Sequence, residues 1–261
     1  MSAGRPLKVY LINLDRDADR LAHMRAQLNG IGFERISAVD GSKDPPTTRG
    51  GLTRFELACL ESHKLAWRAF LGGAADHACF LEDDLHIRPG LAALVGDPAW
   101  IPDDAHCVKL DTYLQKVRLG GREPAIGGRQ VARLYTRHQS SAAYMLTRAG
   151  AIRYLELTTN AGLPADYALF PTNPRRAGLI IYQLVPAVAV QDHLVAAEDG
   201  GQRFATAMAG ARGEAPRKRS SSALERVARE GVRILDQFPD FMELAYQKAV
   251  LRVETTIVGV R

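Results

Sequence analysis

The sequence predicts an α/β protein with a mainly parallel central sheet flanked by helices. Three observations carry this. Strand-like and helix-like segments alternate from residue 8 to residue 110, the pattern of a sheet wound through helical crossovers. Apolar residues make up 46% and charged residues 24%, which excludes a disordered or fibrous chain. The 261 residues suit one large domain, or one domain with an appendage. No stretch approaches the ~18 consecutive apolar residues that span a bilayer. No apolar signal core precedes the first strand, so secretion is not expected. Cys59, Cys79 and Cys107 are too dispersed for a disulfide framework or a zinc knuckle. A reducing, cytoplasmic setting is expected.

Lys8–Leu14 (KVYLINL) is a short apolar run that reads as a buried strand. From Asp15 to Gly30, Leu21, Met24 and Leu28 recur at helical spacing, with Gly30 and Gly32 as stop signals. Phe33–Val39 is a second strand, ended by Asp40-Gly41, and SKDPPTTRGG is a loop. Thr53 opens a helix with Glu56 three residues on, a capping box. The apolar face of that helix is expected at Phe55, Leu57, Leu60, Leu65, Trp67 and Phe70. Ala78–Leu81 is a third strand, running into Glu82-Asp83-Asp84. Helical spacing returns after Pro89 as far as Val95. Cys107–Leu110, Gln130–Tyr135 and Ala142–Leu146 read as further strands, the last leading into a helix near Arg148–Leu157. Leu179–Val190 is β-rich and broken by Pro186. Gly200 to Ser222 has linker composition, Ala223–Phe238 reads as a helix, and a β-branched run closes the chain.

The three carboxylates after the third strand are the main chemical signal. In open α/β sheets ligands bind at the carboxyl ends of the strands. On an extended backbone Glu82 and Asp84 would point one way and Asp83 the other. Clustered carboxylates repel, and a hard divalent ion with oxygen ligands is one remedy; a solvated loop is the other reading. Asn13-Leu14-Asp15-Arg16 either holds a nucleotide or is a turn. His63 is either a satisfied structural histidine or a catalytic one. Asp166 is either a base or a helix cap, and His193 either a late metal ligand or a surface residue. There is no Walker loop, GxSxG or HExxH.

Taken in order, VYLINLDRDADRLAHM, ISAVDG, LTRFELACLESHKLAW with CFLEDDL, and SSAAYMLTRAGAIRYL with PADYALF and VPAVAVQD resemble glycosyltransferase family 25. That family includes bacterial lipooligosaccharide galactosyltransferases. The resemblance covers about residues 7 to 193. It departs at Arg54-Phe55-Glu56, where the family usually has Pro-Gly-Glu.

The resemblance implies a GT-A type nucleotide-sugar transferase fold, an α/β/α sandwich with a mainly parallel sheet. It also implies inversion at the anomeric carbon. Manganese, or magnesium, would be held by Glu82 and Asp84, with His193 as a further metal ligand. Ile12, Asn13, Leu14, Arg20, Ala38, Val39, Asp40, Ser62, His63 and Asp83 would bind the donor. Lys109 and Asp111 would border the acceptor. Asp166, and after it Asp192, are the candidates for the base. The implied reaction moves a sugar, galactose in the family's common case, from a UDP-linked donor to a glycan or glycolipid such as lipooligosaccharide. A non-catalytic glycan- or nucleotide-binding member of the same fold is the alternative.

The net charge is +5. From Arg203 onward eleven Lys/Arg stand against seven Asp/Glu, so the rest of the chain is close to neutral and no nucleic-acid partner is expected. Residues 1–200 are expected to form the transferase domain, and 201–261 a basic linker with an amphipathic helical tail. Leu224, Val227, Leu235 and Phe238 make an apolar stripe beside Arg226, Arg229 and Arg233. That segment either lies on anionic lipid at the cytoplasmic membrane face or packs on its own domain.

Overall fold

The computed structural model describes residues 6–43, 52–160, 162–195, 201–204, 247 and 251–261. The chain runs β1 (Lys8–Asn13), α1 (Ala18–Gln27), β2 (Glu34–Ser37), α2 (Arg54–Gly72), β3 (His77–Glu82), β4 (Leu85–Ile87) and α3 (Leu91–Gly96). It continues through β5 (Cys107–Lys109), β6 (Asp111–Thr112), β7 (Lys116–Pro124), β8 (Gln130–Leu134), β9 (Ala143–Thr147), α4 (Arg148–Thr158) and α5 (Ala165–Leu169). The last elements are β10 (Ile181–Val185), β11 (Ala189–Gln191) and β12 (Glu254–Ile257).

Nine strands form one sheet in the order β12-β7-β8-β10-β5-β9-β3-β1-β2, and β4, β11 and β6 form a small second sheet. The large sheet is mixed, which corrects the expectation of mainly parallel pairing. β2, β1 and β3 pair in parallel, as do β5 and β10. β9 inserts antiparallel between β3 and β5, and the β7–β8 hairpin adds antiparallel pairs beyond β10. Six strands nevertheless point toward one edge, where β1 ends at Asn13 and β3 at Glu82.

Helices cover both faces of the sheet because its central strands are apolar on both sides. Along β1, Tyr10 and Ile12 face a core shared with Leu60, Trp67 and Phe70 of α2 and Tyr154 of α4. Val9 and Leu11 face the other core, with Met24 of α1 and Leu91 and Leu94 of α3. β3 alternates in the same way, Ala78 and Phe80 to one side and Cys79 and Leu81 to the other.

The capping box of α2 is present: Glu56 N–H donates to the Thr53 hydroxyl at 3.2 Å, and Thr53 N–H donates to Glu56 Oε2 at 2.8 Å. Of the residues expected on its apolar face, Leu65 is instead 40% exposed, because it sits on the turn of the helix away from the sheet. α1 begins at Ala18, three residues later than expected. Asp15 accepts from Ser37 Oγ at 2.8 Å and pairs with Arg35, which ties this stretch to β2. β7 escaped the pattern reading because its sequence, KVRLGGREP, mixes charges with paired glycines.

The expected linker and the helix at Ala223–Phe238 lie largely or wholly outside the described residues. β12 pairs antiparallel with β7, so the end of the expected tail belongs to the domain's own sheet. Among the described residues no helix is long and apolar enough to cross a membrane.

The start of α4 packs backbone to backbone on the segment before β5. A Cβ at Gly150 would lie 2.0 Å from the His106 carbonyl oxygen. Gly150→Ala is therefore expected to destabilise the fold by about 2 kcal/mol or more, read by denaturant unfolding.

Candidate active site

Asn13 is buried at the carboxyl end of β1. Its side chain donates to Asp83 Oδ2 at 2.7 Å and accepts from Arg35 Nε at 2.8 Å. Arg20, one turn into α1, donates to the other oxygen of Asp83 at 2.8 Å. Both oxygens of Asp83 thus have donors. Burial still outweighs those donors and leaves its pKa above the ordinary value.

Glu82 closes β3. Its Oε1 lies 3.2 Å from His63 Nε2 and accepts from Ser141 Oγ at 2.7 Å. Tyr144 of β9 sets the tautomer. Its hydroxyl accepts from Trp67 Nε1 at 2.8 Å and sits 2.8 Å from His63 Nδ1. The hydroxyl proton then goes to Nδ1, and the ring's own proton on Nε2 points at Glu82. Burial works to raise Glu82, but His63 and Ser141 prevail and hold it below its ordinary value.

Asp84 differs. Gln191 Nε2 stands 3.5 Å from each of its oxygens. Burial, followed by the charge of Glu82, pushes its pKa up to about 7.

The three carboxylates line one cavity of about 160 Å³, together with Ile12, Asn13, Leu14, Arg20, Ala38, Val39, Ser62 and His63. The expected alternation of the triplet does not hold, because β3 stops at Glu82 and the chain turns at Asp83 and Asp84. Ser62 shapes this wall: its hydroxyl accepts from Val39 N–H at 2.9 Å and donates to the Ala58 carbonyl at 2.7 Å. A second cavity, of about 310 Å³, is lined by Tyr113, Ser140, Ser141, Pro164, Asp166 and His193 among others. Glu82, Cys59 and Gln191 line both cavities.

Asp166, at the start of α5, is half-buried, and burial raises its pKa against the pull of Lys109. His193 faces this second cavity, 5.7 Å from the Tyr113 ring centre to centre. It is absent from the lining of the first cavity, where Asp84 lies.

Four expected residues occupy other places. Asp40 pairs with Arg16 and accepts from the Ser42 hydroxyl and backbone amide, which hold its carboxyl far below the usual range. It positions Arg16, which lines the first cavity in its stead. Lys109 and Asp111 are fully buried and lie in neither cavity. Lys109 Nζ donates to Asp111 at 2.7 Å and to the Ser140 carbonyl at 2.6 Å, so the pair braces the loop before β9.

Asp192 is also closed off. His86 Nε2 lies 2.8 Å from one oxygen, and the Arg203 and Phe204 amides each donate to the other at 2.8 Å. It anchors the 203–204 segment. Sequence reasoning passed over Cys59, Phe55 and Gln191 as lining residues. The spacing places Phe55 in the core, and the dispersal of the cysteines argues against a disulfide framework or a zinc knuckle at Cys59. Gln191 carried no signal beyond its place at a strand end.

The α/β sheet gathers carboxylates and arginines at its strand ends, the edge where open α/β sheets bind ligands. The chain belongs to glycosyltransferase family 25 (LPS biosynthesis protein), whose description matches residues 7–169. It is 26% identical over 205 residues to the lacto-N-neotetraose biosynthesis glycosyltransferase LgtB of Neisseria gonorrhoeae, covering 70% of this chain and 74% of that one. It is 26% identical over 152 residues to the lipooligosaccharide biosynthesis protein lex-1 of Haemophilus influenzae, covering 54% and 50%. Among solved structures, a glycosyltransferase involved in glycosylation of the major capsid of PBCV-1 superposes with a TM-score of 0.41 at 10% identity. That likeness covers 74% of this chain and 96% of the other.

The anchoring role of Asp192 has a pH signature. Burial opposes its ionisation, but His86 and the two amides hold its pKa below the ordinary 3.8. The stability it contributes is present above pH 3.8 and is lost as pH falls toward the lower folded value. Asp192→Asn is expected to flatten the acid limb of stability against pH, followed by thermal unfolding between pH 2 and pH 7.

Proposed function

We propose that this chain is a metal-dependent, inverting glycosyltransferase of GT-A type. It moves a sugar, galactose by the family resemblance, from a UDP-linked donor to a bacterial surface glycan such as lipooligosaccharide. The observation that carries this reading is the pair of cavities meeting at Glu82. One offers apolar walls, two arginines and three carboxylates; the other adds the half-buried carboxylate of Asp166 beside Glu56 and the shared Glu82. The relatives named for lacto-N-neotetraose and lipooligosaccharide biosynthesis support the same acceptor class.

In this reading Ile12, Ala38 and Val39 bound the nucleotide, and Arg16 and Arg20 face its diphosphate. Asp84 fits a hard divalent ion. Its carboxyl is buried beside another carboxylate, and among the described residues its oxygens have as hydrogen-bond donor only the amide of Gln191 at 3.5 Å. Such ions are held by one or two carboxylates plus substrate phosphates, so no ready-made cage is needed. When bound, manganese or magnesium neutralises charge on the departing nucleoside diphosphate. Glu82 or Asp83 would help hold it through water.

The acceptor hydroxyl enters from the second cavity and attacks the anomeric carbon as the bond to the diphosphate breaks. Its proton passes to Asp166, and attack opposite the leaving group inverts the centre. A pKa raised by burial suits Asp166 to that task. A peripheral position at the cytoplasmic membrane face, through the basic segment after residue 201, would bring the site to a lipid-linked acceptor.

Screening nucleotide sugars with manganese is expected to find one donor that is bound and slowly hydrolysed without acceptor. Asp84→Asn should abolish transfer with an unchanged circular dichroism spectrum; near-normal turnover would remove the metal from Asp84. Asp166→Asn should keep donor binding and cut kcat by about 10²-fold or more. A normal rate would move the base elsewhere.

A further inference from the structure

We propose that Cys59, His63 and Glu82 form a second cation site, selective for zinc or a similarly soft divalent ion and distinct from the hard-ion position at Asp84. Among the described residues, these three side chains bring one sulfur, one nitrogen and one oxygen within 4.8 Å of one another.

The backbone explains how they meet. Cys59 and His63 are four residues apart on α2, so they stack on one helix face. That face looks onto the end of β3, where Glu82 sits. Zinc binds thiolate, imidazole and carboxylate at about 2.0–2.3 Å in tetrahedral array, which separates neighbouring ligand atoms by about 3.3–3.6 Å. The 3.2 Å between His63 Nε2 and Glu82 Oε1 is close to that spacing already. Three protein ligands leave the fourth position to water, at the junction of the two cavities that Cys59 and Glu82 both line.

The outer shell suits a metal too. A ligating histidine usually donates its other ring N–H to a neighbouring oxygen. The Tyr144 hydroxyl, 2.8 Å from Nδ1, is in place for that. On binding, the ring proton moves from Nε2 to Nδ1 and the hydrogen bond to Tyr144 reverses direction. The Cys59 thiol releases its proton to solvent. Without an ion, burial and the charge of Glu82 keep that thiol protonated. Ligand softness separates the two sites: thiolate and imidazole favour zinc, whereas carboxylates favour manganese or magnesium.

Occupancy would hold Glu82 at the cavity junction and block the path from acceptor to donor, so zinc should inhibit transfer. That consequence rests on the transferase reading; the binding site does not.

The test uses the full chain, stripped of metal, with cobalt(II) or zinc alone and no nucleotide sugar. Cobalt is expected to bind at one equivalent with a thiolate-to-cobalt charge-transfer band, and zinc to displace it. Cys59→Ala and Cys59→Ser should each remove the band and weaken zinc binding by roughly 10²-fold or more. Asp84→Asn should leave band and affinity unchanged. No band in the unaltered chain, a band that survives in either Cys59 variant, or one lost in Asp84→Asn would overturn the proposal. Since no sugar is present, failure here is distinguishable from failure of the transferase reading.

Discussion

A carboxylate at the inner end of a strand stays charged only if donors reach it, and at Glu82 two do. His63 and Ser141 supply them from α2 and from the segment before β9. His63 is itself held by Tyr144, and Tyr144 by Trp67. One polar chain therefore runs from the helix layer through the sheet to the ligand edge. Each buried group in it has a partner, which a low-dielectric interior requires. The wall between the two cavities is held by this chain, since Glu82 lines both.

The acidic groups around that wall divide by how they are satisfied. Asp40, Asp83 and Asp192 are each engaged at both oxygens and serve to place something else: Arg16, the turn after β3, and the 203–204 segment. Burial raises the pKa of Asp84 and Asp166, as it also raises that of Asp83, but Asp84 meets its side-chain donor, Gln191, only at 3.5 Å. A carboxyl in that condition changes protonation, or gains from a cation, at small cost. The same division separates scaffold from chemistry in the proposed mechanism, and it rests on partners that lie far away in sequence.

Much of the fold was legible. The VYLI run of Val9–Ile12 is apolar without interruption, which marks a strand buried on both faces, and the Thr53–Glu56 box marks a helix start through local geometry alone. The parts that were not legible share a cause. β7 earns its place by pairing with β8 and β12, not by its own pattern, and β9 inserts antiparallel between strands that are distant in the chain. The lining of the first cavity was legible because Asn13, Asp83 and their neighbours sit directly at strand ends. Lys109 and Asp111 sit at strand ends as well, yet they turn inward to each other.

By itself, the sequence determined the elements at the ends of β1 and β3, the carboxylate triplet between them and the family to which the chain belongs. These are local or linear properties, carried by runs of residue types. Only the tertiary structure decided which carboxylates are held by close partners. That depends on whether His86, Arg16 or Lys109 arrives from elsewhere to neutralise them, and on how deeply packing removes each from water.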